Sequence, residues 1–245
     1  MAQVVRKTRL DRYPKLFETV RAFYAASNRV PERILSFGCS KGDELITLRK
    51  CFPQSEILGC DINLEPFRQR PNPLPFEVFL STPESLRQHG PFDVVFANSV
   101  LCYHPAKGPV PEKFPFREFA SLASDIDAVL REGGLFCLFN ASYSFSELPF
   151  AANYRPVRNP QMWENGFVPR WHSSGVQVSR KLRFLNYRVQ HVVRPDLASY
   201  WDFRDCIFQK AKGEAQRQDL GRTVREDAPR RQLPAFCWKW LLGGR

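Results

Sequence analysis

The residues best suited to chemistry gather around one short stretch, RILSFGCSKGDE at 33–44. An apolar run leads into Phe37, Gly38, Cys39, Ser40 and Gly42, and two acids, Asp43 and Glu44, follow where a helix would open. Glycines in this spacing after a strand make a tight turn that holds a phosphate, holds a cofactor without phosphate, or only turns. A phosphate-cradling loop needs Lys and then Ser or Thr after its second glycine, and the order Ser40-Lys41-Gly42-Asp43 does not supply it. A dinucleotide pyrophosphate needs a third glycine, and Asp43 and Glu44 would repel it.

An acidic loop suits a ligand with positive charge and no phosphate. S-adenosyl-L-methionine carries a sulfonium, an ammonium and a ribose. Asp61 ends EILGCD, 19 positions after Gly42, near the spacing of about 20 residues for a ribose-binding acid in a βαβ unit. Its carboxylate can accept hydrogen bonds from two ribose hydroxyls. Methyl transfer is an in-line displacement on an already activated carbon, so alignment and exclusion of water matter more than any fixed triad. A phenol, alcohol or ammonium acceptor needs a base, whereas a carboxylate needs only positioning. His104, just past the predicted fourth strand, is the first candidate base. Tyr103 beside it can line the methyl site or face a cation, and His172 in NGFVPRWHSSG is the second candidate base.

These residues need strands that end together. Segments 34–37, 56–61, 76–80, 93–98 and 135–140 are short and apolar, with helical patterns between most of them, which predicts an α/β fold with a mostly parallel sheet. Leu10, Tyr13, Phe17 and Val20 lie at helical spacing, with Asp11 as the expected cap and Pro14 in the first turn. Thr82 followed by Pro83 predicts a capped helix running toward His89. Phe119, Leu122, Ile126, Val129 and Leu130 predict another helix, stopping at Gly133-Gly134. Partial alternation over 176–193 predicts a late antiparallel pair, and 197–211 reads as a helix. The domain plan is an N-terminal helical extension over 1–30, a central domain over 31–200 with a lid over about 143–175, and a basic extension over 201–245. In that lid Tyr143, Phe145, Phe150, Tyr154, Trp163 and Trp171 mix with Arg155, Arg158 and Arg170, which suits a planar or acidic acceptor and equally suits stacked nucleobases with arginines on their phosphates.

SFGCSKGDE, GCDIN, PFDVVFANSVLCYHP and LREGGLFCL resemble the successive motifs of class I S-adenosylmethionine-dependent methyltransferases, over about residues 30–142. The similarity is strongest to the chemotaxis-receptor (CheR-type) methyltransferase domain, with Phe92-Asp93, Phe96, Val100-Leu101 and Tyr103 on its fourth-strand pattern. Asn98-Ser99 stands where that family has Arg-Asn, and the N-terminus is short for its helical receptor-binding domain. The resemblance implies a Rossmann-like methyltransferase fold in which 37–42 wraps the methionine end of the cofactor. It implies Glu44 at the ammonium, Asp61, Ile62 and Asn63 at the ribose, Ser81 or Thr82 at the adenine edge, and Asn98, Ser99 and Val100 beneath the sulfonium.

The 245 residues carry a net charge of +11, unevenly spread: +5 over 1–33, −4 over 34–150, +6 over 151–200 and +4 over 201–245. A mildly acidic centre between basic flanks favours an anionic partner or a solvated basic surface. Seven cysteines without CxxC spacing read as buried thiols, with no metal site. The lack of a long apolar run or signal-peptide pattern leads to the expectation of a soluble cytoplasmic protein without a membrane partner. The loop after the fourth strand lacks both an NPPY-type motif and a PC nucleophile, which disfavours base methylation. The expected activity is methyl transfer to O or N of a small acceptor, including an anionic one. The alternatives are a protein side-chain carboxyl methyltransferase, an RNA methyltransferase and a non-catalytic binding scaffold.

Overall fold

A computed structural model of the chain describes residues 8–103, 108–158, 166, 168–179 and 205–213. α1 (Pro14–Ala25) turns Leu16, Phe17, Val20 and Tyr24 to one buried face, with Pro14 in its first turn. Its N-cap is Tyr13, without a side-chain cap bond. The expected cap, Asp11, lies in the left-handed region at φ 52 and donates its backbone N–H to Thr47 Oγ1 at 3.0 Å. The following elements are β1 (Arg33–Phe37), α2 (Asp43–Cys51), β2 (Glu56–Asp61), α3 (Glu65–Arg68), β3 (Glu77–Leu80), α4 (Pro83–His89), β4 (Phe92–Asn98), α5 (Val110–Lys113), α6 (Phe116–Val129) and β5 (Leu130–Phe139). Beyond two short 3₁₀ turns come β6 (Tyr154–Pro156), β7 (Arg170–Trp171), β8 (Gln177–Ser179) and β9 (Ile207–Lys210).

The main sheet has the order β3-β2-β1-β4-β5-β9-β6. The first five strands are mutually parallel, and β9 runs antiparallel between β5 and β6. The chain winds outward from β1 to β3 and then returns to place β4 on the other side of β1. That switch opens a crevice at the carboxyl ends of β1 and β4. Side chains alternate across the sheet: Ile34, Val94 and Phe96 pack with α1 and α2, while Leu35, Val95 and Phe136 pack with α6.

Several expected boundaries move. α6 ends at Val129, and β5 already pairs Leu130 with Phe92, so Gly133-Gly134 lies within the strand. A Cβ on Gly134 would stand 2.8 Å from the Asp93 carbonyl oxygen, so the glycine serves close strand contact rather than a helix stop. Residues 207–210, read as helical, form β9 because Ile207 and Phe208 go to opposite faces of the sheet. Among the described residues, the antiparallel strands of the main sheet are 154–156 and 207–210. Of the stretch 176–193 the structure shows β8, which pairs with β7 in a separate hairpin, while Tyr187, Val189, His191 and Val193 lie outside the described residues. α1 belongs to the core rather than standing off as an extension, and β9, placed in the extension after residue 200, is an interior strand of the sheet. Much of the expected lid is also core: Tyr143, Phe145 and Tyr154 are buried, and so is Arg170, whose pKa burial pulls down to about 9. No described helix is long and apolar enough to cross a membrane, and no metal-binding cluster occurs among the described residues. None of the six described cysteines forms a disulfide, and burial raises the pKa of each thiol.

Candidate functional site

β1 delivers Phe37 to the crevice, and the chain then turns. The N–H groups of Gly38 and Cys39 both donate to the Cys60 carbonyl, at 2.8 and 3.0 Å, which clamps the loop to β2. Gly38 has φ +84, and a Cβ there would stand 2.4 Å from Val100 Cγ2, so the loop backbone lies directly on the chain leaving β4. Gly42, also at φ +84, opens α2. Cys39 points its sulfur inward toward Gly59, leaving only its backbone for the loop. Ser40, at φ 50, donates its N–H to Asp61 Oδ2 at 2.8 Å, and Asp61 Oδ1 accepts the Asn63 N–H at 3.1 Å. Asp61 thus shapes the loop, and each of its oxygens retains a second lone pair.

The two loop acids diverge. Asp43 pairs with Arg70 at 2.7 Å, and Arg70 also donates to the Lys41 carbonyl at 2.8 Å. Its charge is therefore compensated, so the acidity of the loop rests on Glu44. Glu44 accepts Ser36 Oγ–H at 2.8 Å through Oε1 and Asn98 Nδ2–H at 2.9 Å through Oε2. Burial pushes its pKa up to about 6, against the two hydrogen bonds that favour the carboxylate. Asn98 Oδ1 is buried and has no partner among the described residues.

Past Asp61 the surface becomes apolar. Ile62 is 56% exposed, and Leu80, the register partner of Asp61, is 49% exposed. Two aliphatic side chains left open at adjacent strand ends are the kind of surface a flat ligand covers. Ser81 donates its N–H to the Asp61 carbonyl at 3.0 Å. Thr82 Oγ1 accepts the Ser85 N–H at 3.2 Å and so caps α4, while Asn63 Oδ1 accepts the Glu65 N–H at 2.9 Å ahead of α3.

The opposite wall is built from distant segments. Ser99, at φ 56 and buried, shares its Oγ with Tyr13 Oη and Asn140 Nδ2, both at 2.9 Å. Its hydroxyl therefore faces inward, toward Tyr13 and Asn140. Burial pushes the Tyr13 hydroxyl up to about 12. Asn140, at φ 58, accepts the Val168 N–H at 3.0 Å. Ser142 joins three segments: its N–H donates to the Leu101 carbonyl at 3.1 Å, its carbonyl accepts the Trp171 N–H at 2.9 Å, and its Oγ accepts the Tyr103 N–H at 3.2 Å. Tyr103 is half-buried against the core. His172 Nδ1 lies 3.2 Å from Glu147 Oε1. His104 lies outside the described residues. Ser40, Ser99 and Asn140 are non-glycine residues at positive φ, and they follow the ends of β1, β4 and β5, where backbone strain gathers around a functional crevice. Arg70, Asn140 and Glu147 had no local signal that would single them out, whereas Ser36 sits beside the glycine loop in a strand pattern that could have placed it.

The stretch 35–136 matches the family described as "Methyltransferase domain". No curated protein matches the chain. Similar solved structures include the plantazolicin methyltransferase BpumL in complex with a pentazolic desmethylPZN analogue and SAH, at 15% identity and TM-score 0.39, over 54% of this chain and 47% of that one. SAM-bound CalS10, an amino pentose methyltransferase from Micromonospora echinaspora, is 20% identical with TM-score 0.39, over 54% and 50%. MycE from the mycinamycin pathway is 19% identical with TM-score 0.33, over 51% and 30%. The chain spans half or less of the length of these structures. The matched stretch runs from β1 into β5, the part of the chain that builds the crevice.

Proposed function

We propose that this protein is an S-adenosylmethionine-dependent methyltransferase acting on O or N of a small acceptor, including one that carries an anionic group. The observation that carries this reading is the loop at Gly38, pressed on Val100 beside the Asp61 carboxylate. A side chain at Gly38 would fill the cradle, so the loop is built for close backbone approach. The donor set also fits. Glu44 and Asn98 Oδ1 are acceptors for an ammonium, Asp61 for ribose hydroxyls, and Ile62 and Leu80 offer apolar cover to a base beside the Ser81 backbone. Backbone groups of 37–42 complete the site. Cys39, Thr82 and Ser99 support it through packing, a helix cap and an internal hydrogen bond. When bound, the cofactor supplies a methyl carbon activated by its sulfonium. The chain's own part is to hold that carbon against the acceptor and to exclude water. A cytoplasmic location is part of the same reading.

Calorimetric titration with S-adenosylhomocysteine, beside Asp61→Ala, tests it. Losing two hydrogen bonds to a carboxylate is worth about 3 kcal/mol, roughly a hundredfold in affinity. Micromolar binding that the variant loses supports the reading; no binding by the wild type overturns it.

A further inference from the structure

We propose that Arg70 is a positioning residue for the cofactor: the segment that carries it, between α3 and β3, buttresses the glycine loop and holds its backbone in the shape that binds. This rests on the methyltransferase reading above. Arg70 Nη1 donates to the Lys41 carbonyl at 2.8 Å and to Asp43 Oδ1 at 2.7 Å, so one nitrogen grips the loop and the first residue of α2 together. Phe67 and Leu74 close on the same place. A Cβ on Gly42 would stand 2.9 Å from Phe67 Cε2 and 3.0 Å from Leu74 Cδ1, so both side chains lie against the bare backbone there.

The loop needs such support. Ser40 at φ 50 and Gly42 at φ 84 put left-handed residues on either side of Lys41, and a residue such as serine keeps that conformation only where its surroundings enforce it. Gly42 donates its N–H to the Cys39 carbonyl at 2.8 Å, while the Lys41 carbonyl accepts from Arg70, so both polar atoms of the 41–42 peptide are held. Asp61 Oδ2 accepts the Ser40 N–H, so two consecutive loop residues are anchored, one from the end of β2 and one from beyond α3. The two anchors are joined through short contacts. Asp61 Oδ1 accepts the Asn63 N–H, Asn63 Oδ1 accepts the Glu65 N–H ahead of α3, and the Arg70 N–H returns to the Phe67 carbonyl at 3.3 Å. Pro71, Pro73 and Pro75 then fix φ at alternate positions of a stretch with no helix or strand, which stiffens it. The ribose acid and the loop anchor thus belong to one short length of chain, 61–75, folded back on 40–43. A loop that keeps its binding shape only part of the time binds proportionally more weakly, and Arg70 keeps that fraction high.

Shape and charge can be separated, because Arg70 bonds a carbonyl as well as a carboxylate. The test is calorimetric titration of the full chain with S-adenosylhomocysteine, beside Arg70→Gln, Asp43→Asn and the double variant. Arg70→Gln should bind about tenfold more weakly, the worth of one charge-assisted hydrogen bond. Asp43→Asn should stay close to the wild type, since Arg70 still reaches the Lys41 carbonyl. The double variant should be as weak as Arg70→Gln. Amide hydrogen exchange of the unliganded proteins should show faster exchange over 38–42 in Arg70→Gln and in the double variant, and not in Asp43→Asn. Wild-type affinity in Arg70→Gln, or affinity regained in the double variant, would show that the arginine only cancels a charge and overturns the proposal. Faster exchange spread evenly over the whole sheet makes Arg70 an ordinary stabilising residue and overturns it too. A wild type that binds no S-adenosylhomocysteine overturns it through the cofactor reading instead, whatever the variants do.

Discussion

The crevice has two walls held in different ways. On the β1–β2 side, backbone N–H groups join consecutive motifs: those of Gly38 and Cys39 donate to the Cys60 carbonyl, and those of Ser40 and Asn63 to the Asp61 carboxylate. On the β4–β5 side, side chains bridge segments far apart in the chain: Tyr13 and Asn140 to Ser99, Val168 to Asn140, His172 to Glu147. Asp61 and Arg70 apart, a wall held by backbone groups tolerates changes of side chain but not changes of backbone conformation. A wall held by buried side chains has the opposite weakness.

The largest effect should come from Gly38→Ala. Its φ of +84 and the 2.4 Å approach to Val100 combine left-handed strain with overpacking, for roughly 2–4 kcal/mol. The loss should appear as a lower denaturation midpoint at unchanged slope, together with weaker S-adenosylhomocysteine binding. Adding Val100→Ala should recover part of it; a fully stable single variant would show that the loop does not rest on Val100. Asn140→Ala attacks the other wall. It leaves the buried Val168 N–H unsatisfied and puts alanine at φ 58, for about 2–3 kcal/mol. Ligand affinity should stay as in the wild type, and a matching loss of affinity would mean that the two walls act as one.

Glu44 gives a pH signature. Its raised pKa means that the folded chain holds the proton more tightly than the unfolded chain. Its stabilising contribution is complete below the ordinary value of 4.5 and is lost as pH rises through about 6, a change of about 2 kcal/mol. Stability measured against Glu44→Gln should fall across that window and stay level outside it. Affinity for S-adenosylhomocysteine should run the other way, weakening as pH drops through about 6 because the ammonium needs the carboxylate. A flat difference between the two proteins would mean that Glu44 titrates as an ordinary carboxyl. The smallest effect belongs to Thr82→Ala: loss of one helix cap, about 1 kcal/mol of stability, with affinity unchanged. A drop in affinity would give Thr82 a place at the ligand that its bond to Ser85 does not.

The first wall was legible because its chemistry is local. Two glycines, a strand-ending acid and a Thr-Pro cap each state a backbone requirement within a few residues, and Gly38, Asp61 and Thr82 meet those requirements. The second wall was not. Nothing near Glu147 marks it as the partner of a histidine 25 residues away. Asp43 counts toward an acidic loop until Arg70 is folded onto it. The helix predicted across 197–211 gives way to a strand at 207–210 for a related reason, since a short apolar run suits either a helix or a strand and the opening between β5 and β6 decided for strand there.

From the sequence alone follow the alternating α/β plan, the tight loop after β1, the acid at the end of β2, and a chemistry suited to a cationic cofactor without phosphate. Periodicity, glycine and capping act over a few residues and can be read in order. Only the tertiary structure decided which acids are compensated, that Ser99 and Cys39 face inward, that β9 enters the sheet, and that Glu147 meets His172. Charge pairing, burial and sheet neighbours depend on which distant segments the fold brings within hydrogen-bonding reach, and linear spacing does not encode those distances.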